Sequence, residues 1–166
     1  LLASIALPFA AAQPKPVTAE RIIAADSEPQ NWLAHGRTYG EQRYSPLKQV
    51  NDGNVEQLGL AWSYATGTTR GLQATPIVVD GRMYATGVWS VVYALDAKTG
   101  KELWTYDPQV PREWGRYACC DAVNRGVALW GDALYFATLD GRLISLDART
   151  GKQRWVINTI DRTKPY

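Results

Sequence analysis

The chain has 166 residues, 46% of them apolar, which is enough for one domain with a sizeable core. The formal net charge of +2 is too small to favour binding to nucleic acid or to an anionic membrane surface. The 7 tryptophans and 9 tyrosines far outnumber the 2 phenylalanines, and this balance indicates a β-rich core built from repeats.

Residues 1–12 are apolar and resemble the hydrophobic region of a secretory signal peptide. Ala10 and Ala12 form a small-residue cleavage site before Gln13. We therefore predict a signal-peptide remnant at residues 1–12 and export to the periplasm, where cysteines can stay oxidised. The alternative is an apolar N-terminal strand or helix.

Residues 13–30 lack apolar periodicity and are predicted to form an extended or weakly helical lead-in. Residues 31–47 are punctuated by Gly and Pro, which argues against a long helix. His35 is the only histidine, and without a second ligand at metal-binding spacing we interpret it as structural. A turn is predicted at residues 51–55, and strand-like sequence runs from Leu58 to Tyr64.

The chain repeats itself from Ile77 onward. The segment Leu95–Trp104, with the sequence LDAKTGKELW, recurs as Leu146–Trp155, LDARTGKQRW. Asp96 and Asp147, like Trp104 and Trp155, are 51 residues apart (147 − 96 and 155 − 104). Such a period is the signature of a repeat fold.

Each repeat is predicted to hold four short strands separated by tight turns. The predicted strands are Ile77–Val79, Arg82–Thr86, Ser90–Leu95 and Lys101–Tyr106, then Val127–Trp130, Ala133–Thr138, Arg142–Leu146 and Gln153–Asn158. Four strands in roughly 50 residues describe a β-propeller blade. The prediction is an all-β fold with about two and a half blades in residues 31–166. These blades are too few to close a ring, so the chain is expected to be cut from a larger protein at both ends and to be inactive by itself.

Three tryptophans and two aspartates are predicted to hold the blades together. Trp104 and Trp155 dock between neighbouring blades in this interpretation, with Trp62 as a third copy. Asp96 and Asp147 accept hydrogen bonds from turn amides.

Cys119 and Cys120 are the only cysteines, and they are adjacent. Adjacent Cα atoms lie about 3.8 Å apart, whereas ordinary disulfides span roughly 4.4–6.8 Å, so a bridge here strains the backbone. It also closes the shortest possible loop, and its value is therefore local shape, a rigid sulfur platform. Arg125 offers a planar charged fork that suits a carboxylate or quinone oxygen. Together these residues indicate a site for a flat, anionic cofactor; the alternative is two small buried thiols and a surface arginine.

The repeated Asp-Ala-Lys/Arg-Thr-Gly-Lys…Trp unit resembles the tryptophan-docking motif of the pyrroloquinoline quinone (PQQ) dehydrogenases. Residues 119–126, CCDAVNRG, are similar to the cofactor loop of that family, and residues 32–47 resemble the N-terminal segment of its alcohol dehydrogenases. The resemblance implies an eight-bladed propeller with PQQ near its axis. It also implies that a Cys119–Cys120 disulfide lies against one face of the quinone and that Arg125 contacts its polar edge.

Residues 71–76 match a segment that commonly carries Glu where this chain has Gln73, and that Glu binds PQQ. Gln73 keeps a hydrogen-bonding carbonyl and gains an NH2 donor, but it lacks the charge. We therefore expect Gln73 to contact PQQ as well.

The resemblance implies oxidation of a primary alcohol to an aldehyde, with electrons passed from PQQ to a cytochrome c or a membrane quinone. This family also uses calcium and a catalytic aspartate, which are expected beyond Tyr166. Some of its members append a haem c domain at their C-terminus. Asp121 is interpreted as a loop-capping carboxylate, and residues 107–116 as a variable surface loop rather than a border of the substrate funnel.

Two other functions fit the sequence less well. A non-catalytic PQQ-repeat propeller that binds protein in the periplasm needs neither the cysteine pair nor Arg125. A nicotinamide enzyme is disfavoured because no Gly-x-Gly-x-x-Gly stands between a strand and a helix.

Overall fold

The computed structural model, which describes residues 14–161, 163 and 164, contains two four-stranded antiparallel sheets. Helix α1 (Ala19–Ile23) precedes the strands β1 (Ile77–Val79), β2 (Arg82–Thr86), β3 (Val92–Asp96), β4 (Glu102–Tyr106), β5 (Ala128–Trp130), β6 (Ala133–Ala137), β7 (Arg142–Asp147) and β8 (Gln153–Asn158). Short 3-10 helices lie at Ala25–Ser27, Val55–Gln57, Val88–Ser90 and Arg112–Tyr117. Strands β1 to β4 and β5 to β8 pair in chain order, which confirms a partial β-propeller. The predicted signal peptide at residues 1–12 lies outside the described residues.

Two predictions about strands are wrong. Strand β3 begins at Val92 rather than Ser90, because Trp89 and Ser90 have φ angles of 60° and 62° that no strand accommodates. Residues 58–64 form no strand, since their backbone makes no ladder with any other described residues and a strand requires such a partner. Leu60 is 86% exposed in this segment.

The tryptophan-docking prediction is confirmed for Trp62 and Trp104. The Trp62 indole Nε1 donates to the carbonyl of Ala97 at 3.2 Å, and that of Trp104 donates to the carbonyl of Ala148 at 3.2 Å. Ala97 and Ala148 occupy equivalent positions in the two repeats. Trp155 is 39% exposed and lies against Tyr135 of its own sheet, so its docking to a further blade stays a prediction.

A glycine faces each docked indole. A Cβ at Gly100 would lie 2.5 Å from the Trp62 ring, and one at Gly151 would lie 2.7 Å from the Trp104 ring. Both glycines also have φ angles near the left-handed region, at 71° and 70°. The Thr-Gly of the repeat therefore serves both the turn and the close approach of the tryptophan.

The lead-in packs against both sheets. Val17 is fully buried and pairs with Gly131 in the turn between β5 and β6. Arg21 in α1 forms ion pairs of 2.6 Å with Glu28 and with Asp80 in the turn between β1 and β2. The apolar core includes Val17, Ile22 and Leu33. Its other members lie in or next to the strands of both sheets: Ile77, Val79, Tyr84, Val92, Ala94, Val127, Leu129, Leu134, Phe136, Ile144, Leu146 and Ala148.

The two repeat aspartates accept hydrogen bonds within their turns, as predicted. Asp96 Oδ1 accepts from the backbone N–H groups of Lys98 and Thr99, at 3.1 and 2.8 Å. Asp147 Oδ1 accepts from the backbone N–H and hydroxyl of Thr150, at 2.8 and 2.7 Å. These bonds fix the turn that presents Gly100 or Gly151 to the docked indole.

Replacing Asp147 by asparagine is expected to lower stability at neutral pH by about 1–2 kcal/mol and to flatten its acid dependence. Burial acts to raise the pKa of Asp147, but hydrogen bonds from Thr150 and Arg154 outweigh it and lower the pKa to about 2. Because this pKa is below the unfolded value of 3.8, the stabilisation is complete above that value and is lost as the pH falls towards 2.

Urea unfolding of the wild-type and Asp147→Asn proteins at several pH values would measure this difference. Asp52→Asn, at an exposed turn residue, is the matched control. Equal acid dependence of the Asp147→Asn and wild-type proteins would contradict the assignment.

Candidate functional site

The candidate site is built around residues 119–126, which we call the cysteine loop. Asn124 fixes this loop to both sheets. Its side-chain Nδ2 donates to the Ser90 hydroxyl at 3.1 Å and to the Ala137 carbonyl at 2.8 Å. The hydroxyl of Thr86 donates to the Asn124 carbonyl at 3.3 Å. Since Ser90 and Thr86 are each 1% exposed, the loop is anchored on one buried residue of β2 and on another in the segment between β2 and β3.

Gly126 brings the cysteine loop against the segment that carries Gln73. Its φ of 134° favours glycine, and an added Cβ would lie only 3.2 Å from the Thr75 carbonyl oxygen, a tight contact. The Thr75 N–H donates to the carbonyl of Arg125 at 3.4 Å. Three consecutive residues thus differ in role. Asn124 anchors the loop to the sheets, and Gly126 allows the loop to approach Thr75. The side chain of Arg125 is exposed.

Residues 70–75 run beside the cysteine loop and are held to it at both ends. Arg70 forms an ion pair with Asp121, and Thr75 bonds to Arg125. The exposed Gln73 lies between these two contacts. The structure therefore brings the four predicted site residues onto two adjoining segments.

Cys119 and Cys120 are both exposed, so the alternative of two buried thiols is wrong. The structure holds them as free thiols with their Sγ atoms 2.7 Å apart, and the disulfide stays a prediction. Hydrogen bonding to Cys119 raises the pKa of the Cys120 thiol, while the charge of Arg125 acts to lower it. Arg125 is thus within electrostatic reach of the cysteine pair.

Asp121 caps its loop as predicted. Its Oδ1 accepts from the backbone N–H of Ala122 at 2.7 Å and from Arg70. The ion pair with Arg70 was not predicted, because a single charged residue in each segment is compatible with many partners.

His35 was predicted to be structural, and the structure adds a location to that interpretation. Its Nε2 lies 3.1 Å from Nη2 of Arg43. The residue lines an open depression that Arg125 and Gly126 also line. No sequence signal links His35 to the cysteine loop, because His35 precedes the repeated part of the chain, which begins at Ile77.

The described residues supply no other obvious ligand set. Within residues 14–161, 163 and 164, no three His, Cys, Asp or Glu side chains are grouped so as to hold a metal ion. The same part of the chain contains no helix long and apolar enough to cross a membrane.

Residues 32–158 match the family model described as the β-propeller domain of PQQ glucose/ethanol/alcohol dehydrogenases. The chain is 59% identical over 159 residues to the quinohemoprotein alcohol dehydrogenase ADH-IIG of Pseudomonas putida, covering 95% of this chain and 22% of that protein. The solved structure of ADH-IIG has a TM-score of 0.86 and 60% identity, covering 89% of this chain and 22% of that one.

The names of two further relatives include an electron acceptor. One is the dehydrogenase subunit of an alcohol dehydrogenase (quinone) from Komagataeibacter europaeus, 57% identical over 86% of this chain and 19% of that protein. The other is the 1-butanol dehydrogenase (cytochrome c) of Thauera butanivorans, 57% identical over 81% of this chain and 20% of that protein. This chain spans only 19% to 22% of the length of these relatives.

Proposed function

Because this chain belongs to the family of PQQ-dependent glucose/ethanol/alcohol dehydrogenases, we propose that the whole protein oxidises a primary alcohol to an aldehyde with bound PQQ. One observation carries this proposal. The exposed pair Cys119–Cys120, Arg125 and Gln73 lie on two segments that are bonded to each other at Thr75 and Asp121. A propeller that only binds other proteins has no need for this arrangement.

The chemistry of these side chains fits a flat, anionic quinone. The guanidinium of Arg125 is a permanent cation with a planar set of donors for carboxylate or quinone oxygens. Gln73 supplies both an amide donor and a carbonyl acceptor. The two sulfur atoms form a polarisable surface on which a planar ring can lie. When bound, PQQ supplies the acceptor for the two electrons of the alcohol; the residues of this chain bind and orient it.

We propose that the rest of the whole protein supplies the remaining parts of the site. These are a calcium ion with its oxygen ligands, the aspartate that takes the alcohol proton, and a haem c domain. The names of the relatives support a cytochrome c or a membrane quinone as the electron acceptor. The apolar residues 1–12 support a periplasmic location, with contact to the inner membrane through partner proteins.

Reconstitution of the whole protein tests this function. The apoprotein is expected to oxidise primary alcohols only when PQQ and calcium are both added, because a hard cation is needed to polarise the quinone. Controls omit PQQ, omit calcium, or add a chelator. Full activity after chelation and dialysis, without quinone absorbance, would contradict the proposal.

The cysteine pair is expected to be a disulfide in the mature exported protein, and to serve turnover rather than folding. A ring closed by adjacent residues restricts the unfolded chain very little. The double variant Cys119→Ala, Cys120→Ala should therefore keep the Tm of the apoprotein nearly unchanged while alcohol oxidation falls by about tenfold or more, because the quinone loses its platform.

Two measurements check this expectation. Mass spectrometry of the unreduced peptide should find a mass two hydrogens below that of the dithiol. Free thiols in carefully isolated protein would refute the disulfide, and full turnover with a much lower Tm in the double variant would refute its role.

A further inference from the structure

Trp89 has an unusual backbone that is fixed by the cysteine loop. Trp89 and Ser90 are consecutive non-glycine residues in the left-handed region, with φ angles of 60° and 62°. Left-handed backbone conformations are rare for non-glycine residues and persist only where surrounding contacts hold them. Here the Trp89 N–H donates to the Ala122 carbonyl at 2.7 Å, and the Ser90 hydroxyl accepts from Asn124 at 3.1 Å.

The side chain of Trp89 contacts the chain on the other side of the cysteine pair. A Cβ on Gly115 would lie 2.9 Å from the edge of the indole, so only glycine lets the helix at Arg112–Tyr117 pack this closely. The guanidinium carbon of Arg112 lies 4.4 Å from the ring centroid, in a cation–π contact. Both contacts belong to the 3-10 helix that ends two residues before Cys119.

We propose that Trp89 is a positioning residue for the Cys119–Cys120 platform. Its indole holds the helix that precedes the pair, and its backbone N–H holds Ala122, which follows the pair. The pair itself is exposed, so its position depends on these flanking contacts. The role as a cofactor platform rests on the proposed function; the role in fixing the loop does not.

Residues 107–116 are packed more closely than expected of a variable surface loop. The sequence favoured a variable surface loop there, but their second half packs on Trp89. Their first half is also held, since Val110 is 3% exposed and Arg142 donates to the Pro108 carbonyl at 2.8 Å. These residues form the support of the cysteine loop.

Hydrogen exchange of the whole apoprotein tests the positioning role without PQQ. In Trp89→Ala and Trp89→Gly, the peptide that covers residues 112–126 should exchange about tenfold faster than in the wild-type protein, since the helix loses its ring contacts. Trp89→Phe keeps an aromatic face for Arg112 and should be intermediate. Because glycine favours positive φ, the Trp89→Gly variant separates the role of the ring from that of the backbone.

The control is Trp130→Ala, at an exposed tryptophan that ends β5 on the side away from the cysteine loop. It should leave exchange of residues 112–126 at the wild-type rate. Titration with PQQ should give a Kd about tenfold higher for Trp89→Ala and about wild-type for Trp130→Ala.

The outcomes separate the two proposals. Exchange in Trp89→Ala and Trp89→Gly at the rate of Trp130→Ala would overturn the positioning role. If the Trp89 variants exchange faster but the wild-type protein binds no PQQ, the loop role stands and the proposed function fails. If the Trp89 variants unfold globally, Arg112→Ala decides, since it removes only the cation–π contact; wild-type exchange of residues 112–126 in that variant would then overturn the proposal.

Discussion

Replacement of Trp104 by alanine is expected to lower the free energy of unfolding of the whole protein by about 3–5 kcal/mol. The indole fills the junction between two blades, against Gly151 and with its ring centroid 6.0 Å from that of Tyr84. Its removal leaves a cavity that the sheets on either side cannot close, because each is fixed by its own ladder of hydrogen bonds. The lost stability is therefore mainly lost packing.

The hydrogen bond of Trp104 contributes less to this loss. The Ala148 carbonyl, which accepts from the indole, also accepts from the buried hydroxyl of Tyr84 at 3.0 Å. It therefore stays bonded in the variant, and no buried acceptor is left without a donor. We accordingly expect Trp104→Phe, which refills part of the volume but cannot donate, to recover much of the stability.

Urea unfolding monitored by circular dichroism would measure these differences. Trp130→Ala is the matched control because this tryptophan is 52% exposed. Its expected loss is below about 1 kcal/mol. If Trp104→Ala lost no more stability than Trp130→Ala, the interpretation of Trp104 as the joint between blades would be wrong.

The joint could be predicted from the sequence because its signals are local and repeated. Trp104 and Trp155 recur at the same interval as Asp96 and Asp147, and each tight turn carries its own glycine. A period of this kind specifies the unit, its turns and most strand ends without any knowledge of distant contacts. The structure moved strand ends by only one or two residues.

The errors arose where distant contacts decide the local structure. Trp89 and Ser90 adopt left-handed conformations because Ala122 and Asn124 bond to them, more than 30 residues away. Residues 58–64 have the composition of a strand, but strand formation also depends on a neighbour for the backbone. Neither condition is visible in the pattern of the segment itself.

The candidate site was predicted in part. The resemblance of residues 119–126 identified Arg125 and the cysteine pair, and that of residues 71–76 identified Gln73. The contact that joins these segments, Arg70 with Asp121, could not be predicted, because a single charged residue in each segment is compatible with many partners. The exposure of both thiols could not be predicted either, because it depends on the hydrogen bonds that Asn124 makes with the buried residues Thr86 and Ser90.

Arg125→Ala is expected to weaken PQQ binding by the whole protein by about 1.5–3 kcal/mol, which is the contribution of a hydrogen bond to a charged group. This loss corresponds to an increase in Kd of about 10- to 150-fold. The effect should come from the side chain alone. Arg125 holds the neighbouring segment through its backbone carbonyl, which accepts from Thr75 at 3.4 Å and is retained in the variant.

Gln73→Glu should change the affinity far less. Glutamate restores the residue that the family commonly carries, and it keeps a carbonyl-type acceptor at the same position. It loses the NH2 donor and adds a negative charge, which Arg125 on the adjoining segment can offset. We therefore expect an affinity that is near neutral or mildly improved.

Titration of each apoprotein with PQQ at saturating calcium gives the Kd values that rank the two substitutions. Arg149→Ala is the control, because Arg149 is also an exposed arginine but lies in the turn after β7, away from the cysteine loop. If the control weakened binding as much as Arg125→Ala, the effect would be one of overall charge. A larger loss for Gln73→Glu than for Arg125→Ala would refute the assignment of Arg125 as the principal contact of this chain with the cofactor. The expected ranking, with Arg149→Ala unchanged, would assign the effect to the guanidinium of Arg125 itself rather than to the loss of one positive charge from the protein.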